Sequence, residues 1–156
     1  MVAILSNHRA VIVDAVRAMY TDVATNPEKA FHFPTGRKAC EFVGYPASEL
    51  NSIPMTAVES YAGVGYPFAA GVIRVGETVL DIGSGSGTDP LIASRLVGHN
   101  GKIIGLDLTE AMRDKLRRNA SIAGAMNVEV LEGNAEEIPL ADASVDVVTS
   151  NGVLNL

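Results

Sequence analysis

The stretch Thr78-Val79-Leu80-Asp81-Ile82-Gly83-Ser84-Gly85-Ser86-Gly87 decides the fold. A short apolar run carrying one carboxylate feeds alternating glycines, the pattern of a buried strand entering a tight nucleotide-binding turn. Glycine lets the backbone take positive φ there and lets a ligand approach the main chain closely. The dinucleotide fingerprint G-x-G-x-x-G would need glycine at position 88, where Thr88 stands. Asp81, just ahead of the first glycine, would repel a pyrophosphate. It suits a ligand carrying positive charge and a ribose, such as S-adenosylmethionine with its ammonium and sulfonium. The competing reading is a glycine-rich connection that binds nothing.

The flanking sequence predicts a doubly wound α/β layer. Asp89-Pro90 offers an N-cap followed by proline at the first helical position, and Leu91, Ile92, Leu96 and Val97 recur at helical spacing until Gly98. Lys102 to Asp107 is a second apolar strand, and Asp107 stands 20 positions after Gly87, where a ribose-binding acid belongs. Vicinal ribose hydroxyls are donors, so one carboxylate can accept from both. Thr109 and Glu110 open a second helix with a threonine cap and an acid in its first turn, carried by Met112, Leu116, Ala120 and Ala123 to Gly124. Arg113, Lys115, Arg117 and Arg118 on that helix are expected on a solvated outer face. Val128 to Leu131 and Val145 to Ser150 read as the third and fourth strands.

Between those strands lies Gly133-Asn134-Ala135-Glu136-Glu137-Ile138-Pro139-Leu140. Taken with Asp81 to Gly87 and with Asp107, this octet resembles the adenine-side motif of class I methyltransferases. The resemblance implies a Rossmann-like sheet and S-adenosylmethionine as cofactor. It implies that the Ala135 amide and the Glu136 side chain read the edge of adenine, with Leu108 packed on its face. Asn134 stands where many relatives carry an aspartate, and its side-chain oxygen can accept from the exocyclic amine. Gly83, Ser84 and Gly85 would hold the methionine end, Asp81 would support the turn and the ammonium, and Asp107 would take the ribose. Tyr61 would close over the sulfonium, where an aromatic face attracts a cation. Ser150, at the tip of the fourth strand, completes the expected cofactor set.

A narrower resemblance follows from three blocks: Tyr61-Ala62-Gly63-Val64-Gly65-Tyr66-Pro67, Gly105-Leu106-Asp107-Leu108-Thr109 and Ser150-Asn151-Gly152-Val153-Leu154-Asn155-Leu156. They resemble arsenite methyltransferases and their relatives over about positions 57 to 156. Those enzymes hold arsenic through cysteine thiolates, which are soft ligands. Two such cysteines fall where Val64 and Gly152 stand in this chain. Cys40, the only cysteine, matches neither position and is expected in the core. The resemblance therefore implies methyl transfer to a different, small-molecule acceptor. Two other function classes stay open, a cofactor-binding module without catalysis and a dinucleotide-dependent oxidoreductase, the latter disfavoured by Asp81 and Thr88.

Composition sets outer bounds. At 156 residues and 47% hydrophobic, the chain is long enough for one core. A net charge of -6 argues against nucleic acid as the main partner. No apolar run reaches membrane-spanning length, and one cysteine gives no disulfide framework, so a cytoplasmic setting is expected. No metal-ligand spacing and no nucleophile elbow is present.

Residues 1–76 read as a helical cap region and 77–156 as the cofactor-binding core. Ile12, Val16, Met19 and Val23 share one face of a helix from about Ser6 to Thr25, ended by Asn26-Pro27. Beyond it, prolines and glycines cut the chain into short pieces such as Arg37 to Val43 and Ala47 to Leu50. His32, between Phe31 and Phe33, reads either as a general base or as a partly buried packing residue. The sheet is expected to stop short of the full class I complement, since the chain ends soon after its fourth strand. That would leave an apolar edge at Val145, Val147, Val148, Val153 and Leu154 open to pairing in a homo-oligomer.

Overall fold

The structure, a computed structural model, describes residues 2–153, with side chains from residue 9 onward. Four parallel strands form one sheet in the order β3-β2-β1-β4: β1 (Thr78–Ile82), β2 (Lys102–Asp107), β3 (Val128–Glu132) and β4 (Val147–Ser150). Burial on both faces explains why β1 and β2 are nearly continuous in Val, Leu and Ile. β4 starts two residues later than the alternation predicts. Asp146 is spent earlier, its carboxylate accepting the Thr78 amide at 2.8 Å.

The helices in chain order are α1 (Val2–Thr25), α2 (Gly36–Phe42), α3 (Ala47–Leu50), α4 (Met55–Val58), α5 (Thr88–Val97) and α6 (Glu110–Ala123). A 3-10 turn follows α4 at Pro67–Ala70. The expected helix at Ala47 to Leu50 is present, α2 begins one residue before its predicted start, and α4 is an addition. α1 also extends four residues further toward the N-terminus than the predicted Ser6, because nothing in Val2 to Leu5 breaks a helix.

The described residues on the two sides of position 76 share a core. Cys40, Tyr45, Leu50, Ala57 and Val58 pack in one cluster with Leu91 and Ile92 of α5 and Ala120 of α6. Each fully buried aliphatic side chain there contributes about 1.5–3 kcal/mol. Polar contacts fix the same join: the Ser86 and Thr88 hydroxyls donate to the Ala57 carbonyl at 2.6 and 2.9 Å.

Three local expectations change. Helix α5 starts at Thr88, with Gly87 at the N-cap in a left-handed conformation (φ 106°), so Asp89 stands inside the first turn rather than capping it. Thr109 is the N-cap of α6 but its hydroxyl makes no capping bond. Asp107 Oδ1 accepts the Thr109 amide at 2.8 Å instead. Arg113 and Lys115 are buried, while Arg117 and Arg118 face solvent as expected. Lys115 Nζ donates to the Ala24 carbonyl at 3.0 Å, to Ser60 Oγ at 2.8 Å and to Glu59 at 2.6 Å, which clamps α1 and the segment after α4 onto α6.

Cys40 is fully buried, and burial pushes its thiol up to about 12. Val148 on β4 is 55% exposed, and Val145, Val147 and Val153 are half-buried. Leu154 lies outside the described residues. No helix among the described residues is long and apolar enough to cross a membrane.

Candidate functional site

Ligands of open α/β sheets bind in the crevice beyond the C-terminal ends of the strands. A cleft of about 640 Å³ opens there, within the range of small-molecule sites. A second hollow of about 720 Å³ lies at the opposite end of the sheet, around Ser94, Gly98, Lys102 and Met126. Only the first is bordered by the glycine turn and by a strand-end carboxylate.

The turn is held from below. Leu106 O accepts the amides of Gly83 and Ser84 at 2.8 and 3.0 Å, and the Ser84 hydroxyl points down to the Asp81 carbonyl at 2.9 Å. Gly85 takes φ 54°, and a Cβ there would enter open space. Its amide donates to Asp107 Oδ2 at 2.8 Å. Asp107 therefore accepts one backbone amide on each oxygen and retains a lone pair on each. Burial raises its carboxyl above the ordinary range, opposed by the Thr109 and Gly85 amides. Behind it, Arg113 donates to the Asp107 and Leu108 carbonyls at 3.1 and 3.0 Å, fixing the tip of β2.

Most of the predicted residues converge on this cleft. Tyr61, Gly83, Ser84, Gly85, Asp107, Leu108, Asn134, Ala135 and Glu136 all line it. Asp81 and Ser150 do not. Asp81 is 2% exposed and accepts the Thr149 hydroxyl at 2.6 Å, so it lies beneath the turn. Asn134 Oδ1 accepts the Glu136 amide at 3.1 Å, a local turn that uses one of the lone pairs expected for a base. The exposed Glu136 side chain pairs with Arg9 of α1, which lines the same cleft. His32 is exposed, edge-on to Phe33, and lies outside the lining.

Several further residues line the cleft. From α1 come Ile12, Val13, Val16 and Tyr20, which wall the cleft beside α6. From α5 and the segment after β4 come Asp89 and Asn151. Asn151 Nδ2 faces Asp89 Oδ2 at 3.0 Å, the Tyr45 hydroxyl at 3.0 Å, the Gly65 carbonyl at 2.9 Å and the Tyr61 hydroxyl at 3.2 Å. Its Oδ1 accepts the amides of Val64 and Gly65 at 2.8 and 3.1 Å. One side chain thus ties the end of β4 to the 61–65 loop. Tyr61, pushed up to about 12 by burial, stays a neutral phenol near neutral pH.

Comparison with known proteins gives this geometry a family. A model described as a methyltransferase domain matches residues 73–156. The chain belongs to that methyltransferase-domain family. An arsenite methyltransferase of Halobacterium salinarum is 42% identical to this chain over 122 residues, 78% of this chain and 31% of that protein. A ubiquinone/menaquinone biosynthesis C-methyltransferase of Escherichia coli is 42% identical over 89 residues, covering 54% of this chain and 34% of the relative. The chain spans about a third of the length of these curated relatives.

Two solved structures share the fold of this methyltransferase domain. An arsenic(III) S-adenosylmethionine methyltransferase from Chlamydomonas reinhardtii superposes with a TM-score of 0.55 at 29% identity, over 81% of this chain and 41% of that one. A SAM-dependent methyltransferase from Aquifex aeolicus gives 0.51 at 28% identity, over 72% and 54%.

Proposed function

We propose that this chain carries the S-adenosylmethionine site of a methyltransferase acting on a small-molecule acceptor. One observation carries the reading: Asp107, locked to Gly85 at 2.8 Å, stands between an open glycine turn and the Asn134 to Glu136 loop in a single cleft. The residues fit the group. Asp107 keeps a free lone pair on each oxygen for ribose hydroxyls, Gly85 leaves its Cβ space open, and Leu108 and Ala135 offer apolar surface for a base.

Bound S-adenosylmethionine supplies a methyl group already activated by its sulfonium, with a neutral thioether as leaving group. The chain's own task is alignment, which can carry a large part of such a barrier. Leu108, Thr109 and the α1 residues Val13 and Val16 exclude water from the adenine side. Tyr61, held by Asn151 and donating to the Gly65 carbonyl at 3.0 Å, walls the side facing the acceptor.

Arsenite is not the acceptor in this reading. A Cβ on Gly152 would lie 3.8 Å from Val64 Cγ1, so the two positions where the resembling enzymes carry thiols are neighbours, and neither holds sulfur here. Cys40 cannot substitute, since it is buried and its thiol is pushed up to about 12. The sheet edge at β4 is proposed to pair with a second copy, and a cytoplasmic setting accompanies the single reduced cysteine. Sedimentation tests the first, and a monodisperse monomer would remove it.

The experiment for the site is calorimetric titration with S-adenosylhomocysteine of the wild-type chain and of Asp107→Ala. Loss of hydrogen bonds to a partly buried carboxylate should weaken binding by about 1–3 kcal/mol. Equal affinity in the two proteins would remove the ribose assignment.

A further inference from the structure

The strand order lays the cleft out as successive stations about 4.8 Å apart. Along the order β3-β2-β1-β4 come the Asn134 to Glu136 loop, Asp107, the glycine turn and finally Asn151. This inference rests on the cofactor reading above, which assigns adenine to the first station and ribose to the second. The amino-acid end of the ligand then falls on the β1 and β4 side.

A built carboxylate stands there. Asp89 is 6% exposed and lines the cleft. The Tyr45 hydroxyl donates to its Oδ1 and Asn151 Nδ2 donates to its Oδ2 at 3.0 Å. Both donors are neutral, and among the described residues no Lys, Arg or His forms an ion pair with it. A carboxylate taken out of water without a cation is costly. Asp81, the acid that the glycine motif singles out, is bonded to Thr149 and lies outside the lining.

We infer that Asp89 binds the ammonium group of the methionine moiety, with Asn151 and Tyr45 as positioning residues that fix its two oxygens. A ligand ammonium supplies the missing cation at the station where the strand order brings it. Gly63 leaves room for this arrangement, since a Cβ there would come within 2.6 Å of the Asn151 amide.

The test uses two nucleosides with this chain. S-adenosylhomocysteine carries the ammonium, and 5′-methylthioadenosine lacks the amino-acid part. Calorimetry should show the first binding at least about tenfold tighter in the wild type. Asp89→Asn should lose roughly tenfold to a hundredfold for S-adenosylhomocysteine and stay within about twofold for 5′-methylthioadenosine. Tyr45→Phe, which keeps the carboxylate, should show a smaller loss of the same selective kind, and it decides the matter if thermal melting shows Asp89→Asn unfolded. An unchanged ratio of the two affinities in both variants overturns the inference, as does a selective loss in Asp81→Asn but not in Asp89→Asn. Equal binding of the two nucleosides by the wild type overturns this inference alone, whereas binding of neither overturns the cofactor reading beneath it.

Discussion

Asp107 Oδ2 accepts the Gly85 amide at 2.8 Å, so the carboxylate at the tip of β2 is also the tether of the glycine turn after β1. Removing it should do two things at once. Asp107→Ala should lose cofactor affinity and also loosen residues 83–87. Asp107→Asn, whose side-chain oxygen can still accept one amide, should retain more of the turn while still losing a ribose acceptor. Backbone amide exchange at Gly85 separates the effects: fast exchange in Asp107→Ala and slower exchange in Asp107→Asn is expected, and equal protection in both would refute the tether.

Lys115 should matter for stability where the exposed arginines of α6 do not. Its ammonium is buried against Ala24, Glu59 and Ser60, so Lys115→Ala strands three partners, one of them a partly exposed carboxylate. The expected cost is roughly 2–4 kcal/mol in denaturant unfolding. Arg118→Ala, on the exposed face, should stay within about 0.5 kcal/mol. Comparable losses for the two would contradict the buried clamp.

Asp89 gives a pH dependence with a definite sign. Burial, opposed by hydrogen bonds from Tyr45 and Asn151 and reinforced by the charge of Glu49, raises its carboxyl from 3.8 to about 6. Asp81 is raised too, by burial and then by Asp89. The other titratable groups coupled to Asp89 are Tyr45, Tyr61, Tyr66 and Cys40, all held neutral near pH 7 by raised values. The folded chain therefore binds protons that the unfolded chain releases. This contribution is fully present below about pH 3.8 and is lost as pH rises through about 6. Urea midpoints should show a shallower decline between about pH 4.5 and 7 in Asp89→Asn than in the wild type. Identical slopes would contradict a proton held at Asp89.

The α/β layer and most of the residues that line the cleft were legible because they are local. Strand, glycine turn and following helix all lie within Thr78 to Val97, Asp107 is the last residue of β2, and the 133–140 loop follows β3 directly. Asp89 departs from the capping role its sequence suggests for a physical reason. Its position before proline looks like a helix cap, but Gly87 at φ 106° makes the transition two residues earlier and turns Asp89 inward. Its partners Tyr45 and Asn151 lie 44 and 62 residues away in sequence, where no spacing rule reaches. Lys115 is buried rather than solvated for the same reason, because its acceptors come from α1 and the segment after α4. Glu136 lines the cleft, and its side chain is engaged there by Arg9 of α1, a contact that no local motif signals.

That ion pair predicts how α1 relates to the cleft. Arg9 and Glu136 are both well exposed, so the pair is screened and should contribute little to stability. Arg9→Ala should leave the unfolding midpoint unchanged. Val16→Asp, which sets a charge in the wall α1 presents to the cleft, should weaken binding of S-adenosylhomocysteine by tenfold or more, roughly the cost of desolvating an unpaired acid beside a base. Full affinity in Val16→Asp would show that α1 does not border the bound ligand.

The central claim is that the crevice beyond β1 and β2 holds an adenosyl ligand, and titration calorimetry of the wild-type chain with S-adenosylhomocysteine tests it most directly. Saturable binding at one site per chain, weakened in Asp107→Ala, is expected. Absence of heat and of any thermal stabilisation at millimolar ligand, in a chain shown to be folded, would contradict it.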